Sequence, residues 1–341
     1  MPEGGKPLAL FVAWLAEDRD GRALRLALGH ALAALPGGLA GRRLVSVLID
    51  AAAAPPASAV DALLADARQL LEMAPDLEVS LAIDPRAIGP QGLADYRVAG
   101  IERLVLRAGV LDEAAQAALA AAGVFLRCAL DLTFARPRQT LSAWQAELDR
   151  ALRLGAGHIS LEEHGEGAAG SDRAAELYRL AIKHLAAAGL PAYEIGHCAR
   201  PGHASRQLLH GATGGDYFGI GPGAVGRITV DGVCHALTQV EPAAAWLGAL
   251  ATGAEAERRV LDAEERRTEL LLTGLRLRDG IGRAWFEPAA GPLEAALDAE
   301  QLAMLVEDGF IALDRQGLRL TRRGWPLGDA VLARLLRRAH G

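Results

Sequence analysis

Residues 192–227 read AYEIGHCARPGHASRQLLHGATGGDYFGIGPGAVGR. Glycines, histidines and a cysteine crowd this stretch between two halves rich in alanine and leucine. Its end, Gly221-Pro222-Gly223-Ala224-Val225-Gly226, formally satisfies GxGxxG after the apolar run Tyr217, Phe218 and Ile220. A dinucleotide fingerprint needs a helix to open on the third glycine, so that its N–H groups face a pyrophosphate. Here Arg227-Ile228-Thr229-Val230 and then Asp231-Gly232 follow, which predicts strand, hairpin turn and strand. The glycines, Gly221 and Gly223 above all, are expected to let the backbone turn tightly against a flat ligand or another strand, because glycine alone takes positive φ without steric cost. Residues 192–240 as a whole read as short strands and tight turns that close one side of the preceding unit.

Outward toward the N-terminus, short β-rich runs alternate with Ala/Leu runs at helical spacing, the βα alternation of a parallel sheet. The strands are expected at Leu8–Trp14, Leu44–Ile49, Leu77–Ile83, Arg103–Leu106, Val124–Leu132 and His158–Leu161, with helices near 22–35, 58–73, 112–122, 140–153 and 172–188. Six βα units fit an incomplete barrel or a doubly wound open sheet, and in both ligands are expected at the C-terminal ends of the strands. Toward the C-terminus, Glu255–Arg278 reads as a charged helix. Leu297–Asp308, Phe310–Asp314, Leu318–Thr321 and Pro326–Arg338 then read helix, strand, strand, helix, a small winged-helix-like α+β module. The expected division is 1–190, 191–250 and 251–341.

The chain has 341 residues, 51% of them hydrophobic, enough for a full core. Its net charge of −6, with dispersed arginines, argues against a nucleic-acid partner even though Arg315, Arg319, Arg322 and Arg323 cluster in the C-terminal module. No apolar run is long enough to span a membrane and the first residues lack a signal-peptide layout, so a cytoplasmic protein is expected. Cys128, Cys198 and Cys234 form no CxxC and read as reduced, buried thiols.

Four stretches in order carry a resemblance: Asp131-Leu132-Thr133-Phe134 with Pro137 and Gln139-Thr140, Gly157-His158-Ile159-Ser160-Leu161, YEIGHCARPGHASR, and DYFGIGPGAVGR. Together they resemble the oxygen-independent coproporphyrinogen III oxidase family of the radical S-adenosylmethionine superfamily, and within it the HemW heme-chaperone branch. The resemblance implies a six-unit partial TIM-type βα barrel, a [4Fe–4S] cluster, S-adenosylmethionine and a C-terminal winged-helix-like module. It also implies motifs that this chain lacks. Three cysteines in CxxxCxxC should follow the first strand, since soft thiolates hold the cluster, but residues 10–21 contain none. The family's GGGTPS is replaced by Asp50-Ala51-Ala52-Ala53-Ala54-Pro55-Pro56-Ala57-Ser58, its TxExNP by Ser80-Leu81-Ala82-Ile83-Asp84-Pro85, and its GVQS by Arg107-Ala108-Gly109-Val110. The chain reads as a degenerate member without cluster, cofactor or radical activity.

The family's heme-linked HNxxYW, expected after Ser205-Arg206, is replaced by Gln207-Leu208-Leu209-His210-Gly211-Ala212. His197, Cys198, His203 and His210 can ligate iron, and Arg200 and Arg206 can pair with propionates. A heme or tetrapyrrole site is therefore expected over 193–210, where the barrel mouth meets the glycine loop at Gly221 and Gly223, with His210 as first candidate ligand. His158, Glu163 and His164 suggest a weaker acid–base or metal site at the end of the sixth strand. The leading expectation is a cluster-free heme-binding or heme-trafficking protein with a heme-acceptor protein as partner, and a homodimer stays open. The alternatives are a divergent coproporphyrinogen oxidase-type oxidoreductase, another barrel enzyme, or a non-catalytic partner subunit of an active relative.

Overall fold

The computed structural model describes residues 6–35, 38, 41–88, 92–165, 172–253 and 256–336. Its centre is an α/β partial barrel built from β1 (Lys6–Trp14), α1 (Arg22–Ala33), β2 (Arg42–Ala51), α2 (Ala57–Leu70), β3 (Glu72–Ile83), α3 (Leu93–Val98), β4 (Arg103–Gly109), α4 (Glu113–Ala121), β5 (Arg127–Phe134), α5 (Leu141–Arg153), β6 (His158–Glu163) and α6 (Asp172–Ala187). Strands β1 to β6 lie side by side in chain order, all parallel. Alternation along each strand decides the two faces. Leu8, Leu10, Val12 and Trp14 of β1, with Leu104 and Leu106 of β4 and Leu130 and Leu132 of β5, join the main core with helix residues such as Leu24, Leu63 and Trp144. The opposite, inner face holds a small apolar layer of Leu48, Ala82, Val105 and Ala129, with polar residues on either side of it. Side-chain caps set the helix starts, Asp112 for α4 and Thr140 for α5.

The stretch that opened the reading extends both edges of this sheet. The antiparallel hairpin β7 (Ala192–Glu194) and β8 (His197–Ala199) adds to β6. At the other edge β9 (Asp216–Ile220) runs parallel to β1, followed by β10 (Val225–Val230), β11 (Val233–Thr238) and β12 (Glu257–Val260), giving the order β12-β11-β10-β9-β1-β2-β3-β4-β5-β6-β8-β7. No helix opens after Gly226, and Asp231-Gly232 makes the expected hairpin turn with φ of 49° and 80°. Between the two additions sits α7 (Arg206–Ala212), a helix not expected there, capped by Ser205.

The remaining elements are α8 (Ala243–Ala251), α9 (Ala263–Gly274), β13 (Ile281–Gly282), α10 (Arg283–Ala290), α11 (Ala299–Glu307), β14 (Ile311–Leu313), β15 (Gly317–Leu320) and α12 (Gly328–Leu335). The last three strands form a separate sheet, β13-β15-β14; α11, β14, β15 and α12 follow the expected order of helix, strand, strand, helix, and β13 adds a strand that was not expected. Three expectations are corrected. The helix over 255–278 is the edge strand β12 and then α9, which starts on an Asp262–Glu265 capping box. The fifth strand begins at Arg127, since 122–124 is a 3₁₀ turn. The 192–240 region flanks the barrel on two sides rather than one. The expected helix tail at 337–338, the start of the 255–278 helix at Glu255 and the first five residues lie outside the described residues. Among the described residues no helix is long and apolar enough to cross a membrane.

Candidate functional site

Strand direction sorts the candidate residues into three places. Because β8 is antiparallel to β6, with His158 opposite Ala199 and Ser160 opposite His197, the chain leaves β8 at the end where the barrel strands begin. Arg200, His203, Arg206 and His210 all follow there. Their contacts agree: the Arg200 N–H donates to the Gly157 carbonyl, the Arg206 N–H to Glu78 Oε1 at 3.1 Å, and Ser46 Oγ to Gln207 Oε1 at 2.6 Å. Gly221 and Gly223 follow β9, which is parallel to β1, and so lie at the opposite end. The expected meeting of the 193–210 segment with the glycine loop is therefore corrected: the length of the sheet separates them. The two glycines face protein. A Cβ on Gly221 would stand 2.2 Å from the Ala13 carbonyl oxygen and one on Gly223 1.8 Å from Glu241 Oε1, at φ of +103° and +65°.

The acid–base trio is also divided. His158 opens β6 inside the barrel, while Glu163 closes it and His164 follows, both exposed. Five residues of extended chain, about 16 Å, separate His158 from Glu163. Cys198 points away from His197 into the core, is 0% exposed, and has its thiol pushed up to about 12 by burial, so it cannot ligate without opening the core. Cys128 on β5 and Cys234 on β11 are likewise buried, so the three thiols sit on three different strands. Among the described residues no group of three His, Cys, Asp or Glu side chains could hold a metal.

What the fold does gather is an imidazole cluster inside the barrel. His158 Nε2 lies 2.9 Å from the Tyr193 hydroxyl, which accepts the Ser205 N–H at 3.2 Å. The His197 ring centroid stands 5.5 Å from that of His158, and its Nδ1 lies 3.0 Å from Ser160 Oγ. Burial pushes the pKa of His158 well below the ordinary imidazole value, and the charges of Arg103, His197 and His203 push it the same way. His197 and His203 shift down too, again chiefly through burial. The native chain thus keeps His158 neutral where the unfolded chain protonates it, near pH 6.5 and below. The unfolded state then binds more protons, and stability falls as pH falls. His158 is expected to contribute to a loss of stability, on the order of 1 kcal/mol, between pH 7.5 and 5.5. Urea unfolding at the two pH values measures this, and His158→Gln should flatten the dependence.

A larger groove lies elsewhere, at the start of β1 and β9 and the turn from β10 into β11, beside α9 and α10. Its volume is about 700 Å³ and its lining includes Lys6, His210, Asp216, Cys234, Asp262 and Arg266. Sequence reasoning singled out only His210 among these. Its Nε2 lies 2.8 Å from the Asp216 carbonyl oxygen, an acceptor, so the ring donates from Nε2 and Nδ1 is left as the basic nitrogen. Arg42 and Asp216, both buried, pair at 2.8 Å behind the groove. An apolar cavity between α1 and α8 measures only about 60 Å³. At the C-terminal mouth Arg107 donates to Asp50 Oδ2 at 2.7 Å, joining the ends of β4 and β2.

The comparisons with known proteins place this architecture. The heme chaperone HemW of Mycobacterium tuberculosis strain H37Rv is 32% identical over 297 residues, covering 77% of this chain and 73% of that protein. The chain belongs to the HemW branch of the oxygen-independent coproporphyrinogen oxidase family. The mitochondrial radical S-adenosyl methionine domain-containing protein 1 of Danio rerio is 28% identical, over 76% of this chain and 67% of that one. The HemN C-terminal domain family matches residues 261–327. In fold the chain superposes on Escherichia coli HemN, a coproporphyrinogen III oxidase, with a TM-score of 0.77 at 18% identity, over 97% of this chain and 90% of that one. The HemN C-terminal match begins at Leu261, so the groove is lined partly from it, by Leu261, Asp262, Ala263, Arg266, Pro288 and Ala289.

Proposed function

We propose that this chain is a heme- or tetrapyrrole-handling HemW relative that performs no radical S-adenosylmethionine chemistry. The observation that carries the reading is the groove. Its volume is that of a cofactor-sized site, and His210 presents a basic nitrogen oriented by its bond to a backbone carbonyl, the arrangement that fixes an imidazole as a metal ligand. Lys6 at the same groove supplies a cation for a carboxylate. Heme bound there supplies an iron that accepts an imidazole ligand. His210 holds and orients it, the apolar lining from Pro7, Val233, Leu261, Pro288 and Ala289 excludes water, and a heme-acceptor protein is the partner the relatives' name suggests.

The loss of radical chemistry is supported separately. Three buried thiols on three strands do not fit a [4Fe–4S] cluster, and the end of β1 and the segment after it hold buried Trp14 and Leu15 and the helix-capping Asp18, which accepts from the Ala23 and Leu24 N–H groups. The Asp50–Arg107 pair spans strand ends where the resemblance puts the cofactor cradle. Protein purified and reconstituted without oxygen is expected to carry no cluster absorbance and to leave S-adenosylmethionine intact. Hemin titration should give a saturable Soret change in wild type that weakens about tenfold or more in His210→Ala and persists in His197→Ala. Reductive cleavage of S-adenosylmethionine would restore the enzyme reading. Equal hemin affinity in wild type and His210→Ala would remove the groove as the site.

A further inference from the structure

The inner face at the N-terminal end of the barrel holds more enclosed donors than acceptors. Arg103, the first residue of β4, is 4% exposed, and its guanidinium has no hydrogen-bond or ion-pair partner among the described residues; its Nε is fully enclosed. The nearby buried carboxylate, Glu78, is already engaged: Oε2 accepts from Arg127 at 2.7 Å, and Oε1 accepts from the Arg206 N–H at 3.1 Å and from Ser80 Oγ at 3.4 Å. His158 Nδ1 and His203 Nδ1 are also enclosed without a partner. The Tyr193 hydroxyl accepts the Ser205 N–H and has a proton to donate; in the tautomer where that proton goes to His158 Nε2, the imidazole proton falls on Nδ1 and that orphan is a donor. Arg103, two residues before the inner-face Val105, and His158, level with the inner-face Ala129, share the inner face at this end of the barrel, and His203 follows β8 there. A buried charge persists in a folded protein when something compensates it, and no side chain here does so.

We propose that Arg103, His158 and His203 form an anion site inside the N-terminal end of the barrel that takes one oxyanion group, a carboxylate or a phosphate. A guanidinium offers two parallel N–H donors that match either group, and the His158 N–H adds a third direction. The site is distinct from the groove at β9 and β10, and it lies at the end of the barrel opposite to the strand ends where this fold usually places chemistry. His203 is half-buried, and Arg200, at the same end of the barrel, is exposed and has no ion-pair partner among the described residues.

The test titrates inorganic phosphate, and separately acetate, into the full chain at constant ionic strength, with chloride as the reference. It reads the melting temperature and, for phosphate, the ³¹P linewidth. A saturable rise of about 2 °C in at least one arm is expected, as for a ligand at several times its Kd. The responding arm tells phosphate from carboxylate. Arg103→Met should abolish the response and, in chloride, melt at or above wild type because an uncompensated charge has been removed. Should that variant not fold, His203→Ala decides, and must weaken the response with its circular dichroism unchanged. A rise that survives in a folded Arg103→Met or, where only His203→Ala can be measured, in that variant overturns the assignment. So does an equal effect of chloride, or a flat response to both oxyanions.

Discussion

Gly221→Val is expected to lower the unfolding free energy by about 4 kcal/mol, the sum of two effects of about 1–3 kcal/mol each. The first is backbone strain, since Gly221 sits at φ +103°, where a β-branched residue is an outlier. The second is collision: the new Cβ would lie 2.2 Å from the Ala13 carbonyl oxygen and 3.0 Å from its carbonyl carbon, and a strand backbone in the sheet centre cannot swing aside as a side chain can. A control separates the two. Gly189 has φ +85° with nothing within 4 Å of its Cβ position, so Gly189→Ala carries strain alone, about 1 kcal/mol. Equilibrium urea unfolding of both variants measures the difference. A Gly221→Val cost no larger than that of Gly189→Ala would mean that β9 and β1 do not hold the loop as tightly as these contacts require.

The same loop shows what was legible in the sequence and what was not. That its glycines are conformational could be read from the strand-forming Arg227–Val230 after them, because a phosphate cradle needs a helix there. What they press against, the end of β1 two hundred residues earlier, is a product of sheet order. The barrel strands were legible because short β-rich runs alternate with Ala/Leu runs at helical spacing. The strand β12 was not: all four of its residues, Glu257-Arg258-Arg259-Val260, are exposed, and it joins the sheet through backbone bonds to β11, which leave no periodicity to read. Helix α7 hid among glycines and histidines, and only the Ser205 cap three residues before Leu208 signals it. The site was least legible. Which end of a barrel a loop residue occupies depends on the direction of the strand before it. The reversal at β8 moved Arg200, His203, Arg206 and His210 away from the mouth to which proximity in sequence had assigned them.

Glu78→Ala should cost about 3–5 kcal/mol, the loss typical of removing one partner from a buried ion pair. Glu78 is 0% exposed on β3 and is the acceptor on which the N-terminal end of the barrel is assembled. It takes a guanidinium N–H from Arg127 on β5, a hydroxyl from Ser80, and the backbone N–H that starts α7. Truncation strands Arg127 with only Glu102 at 3.4 Å. It also frees the first turn of α7, whose Gln207 otherwise bonds Ser46 on β2, so the damage should spread toward His210. Hydrogen exchange tests this spread: amides of residues 205–212 should lose protection in Glu78→Ala before those of β5 and β6. Glu78→Gln keeps an acceptor for the α7 N–H but removes the charge, and should fall between Glu78→Ala and wild type. If Glu78→Ala loses stability uniformly, with α7 protected to the same extent as the barrel strands, Glu78 is a packing residue and the coupling between barrel interior and groove is absent.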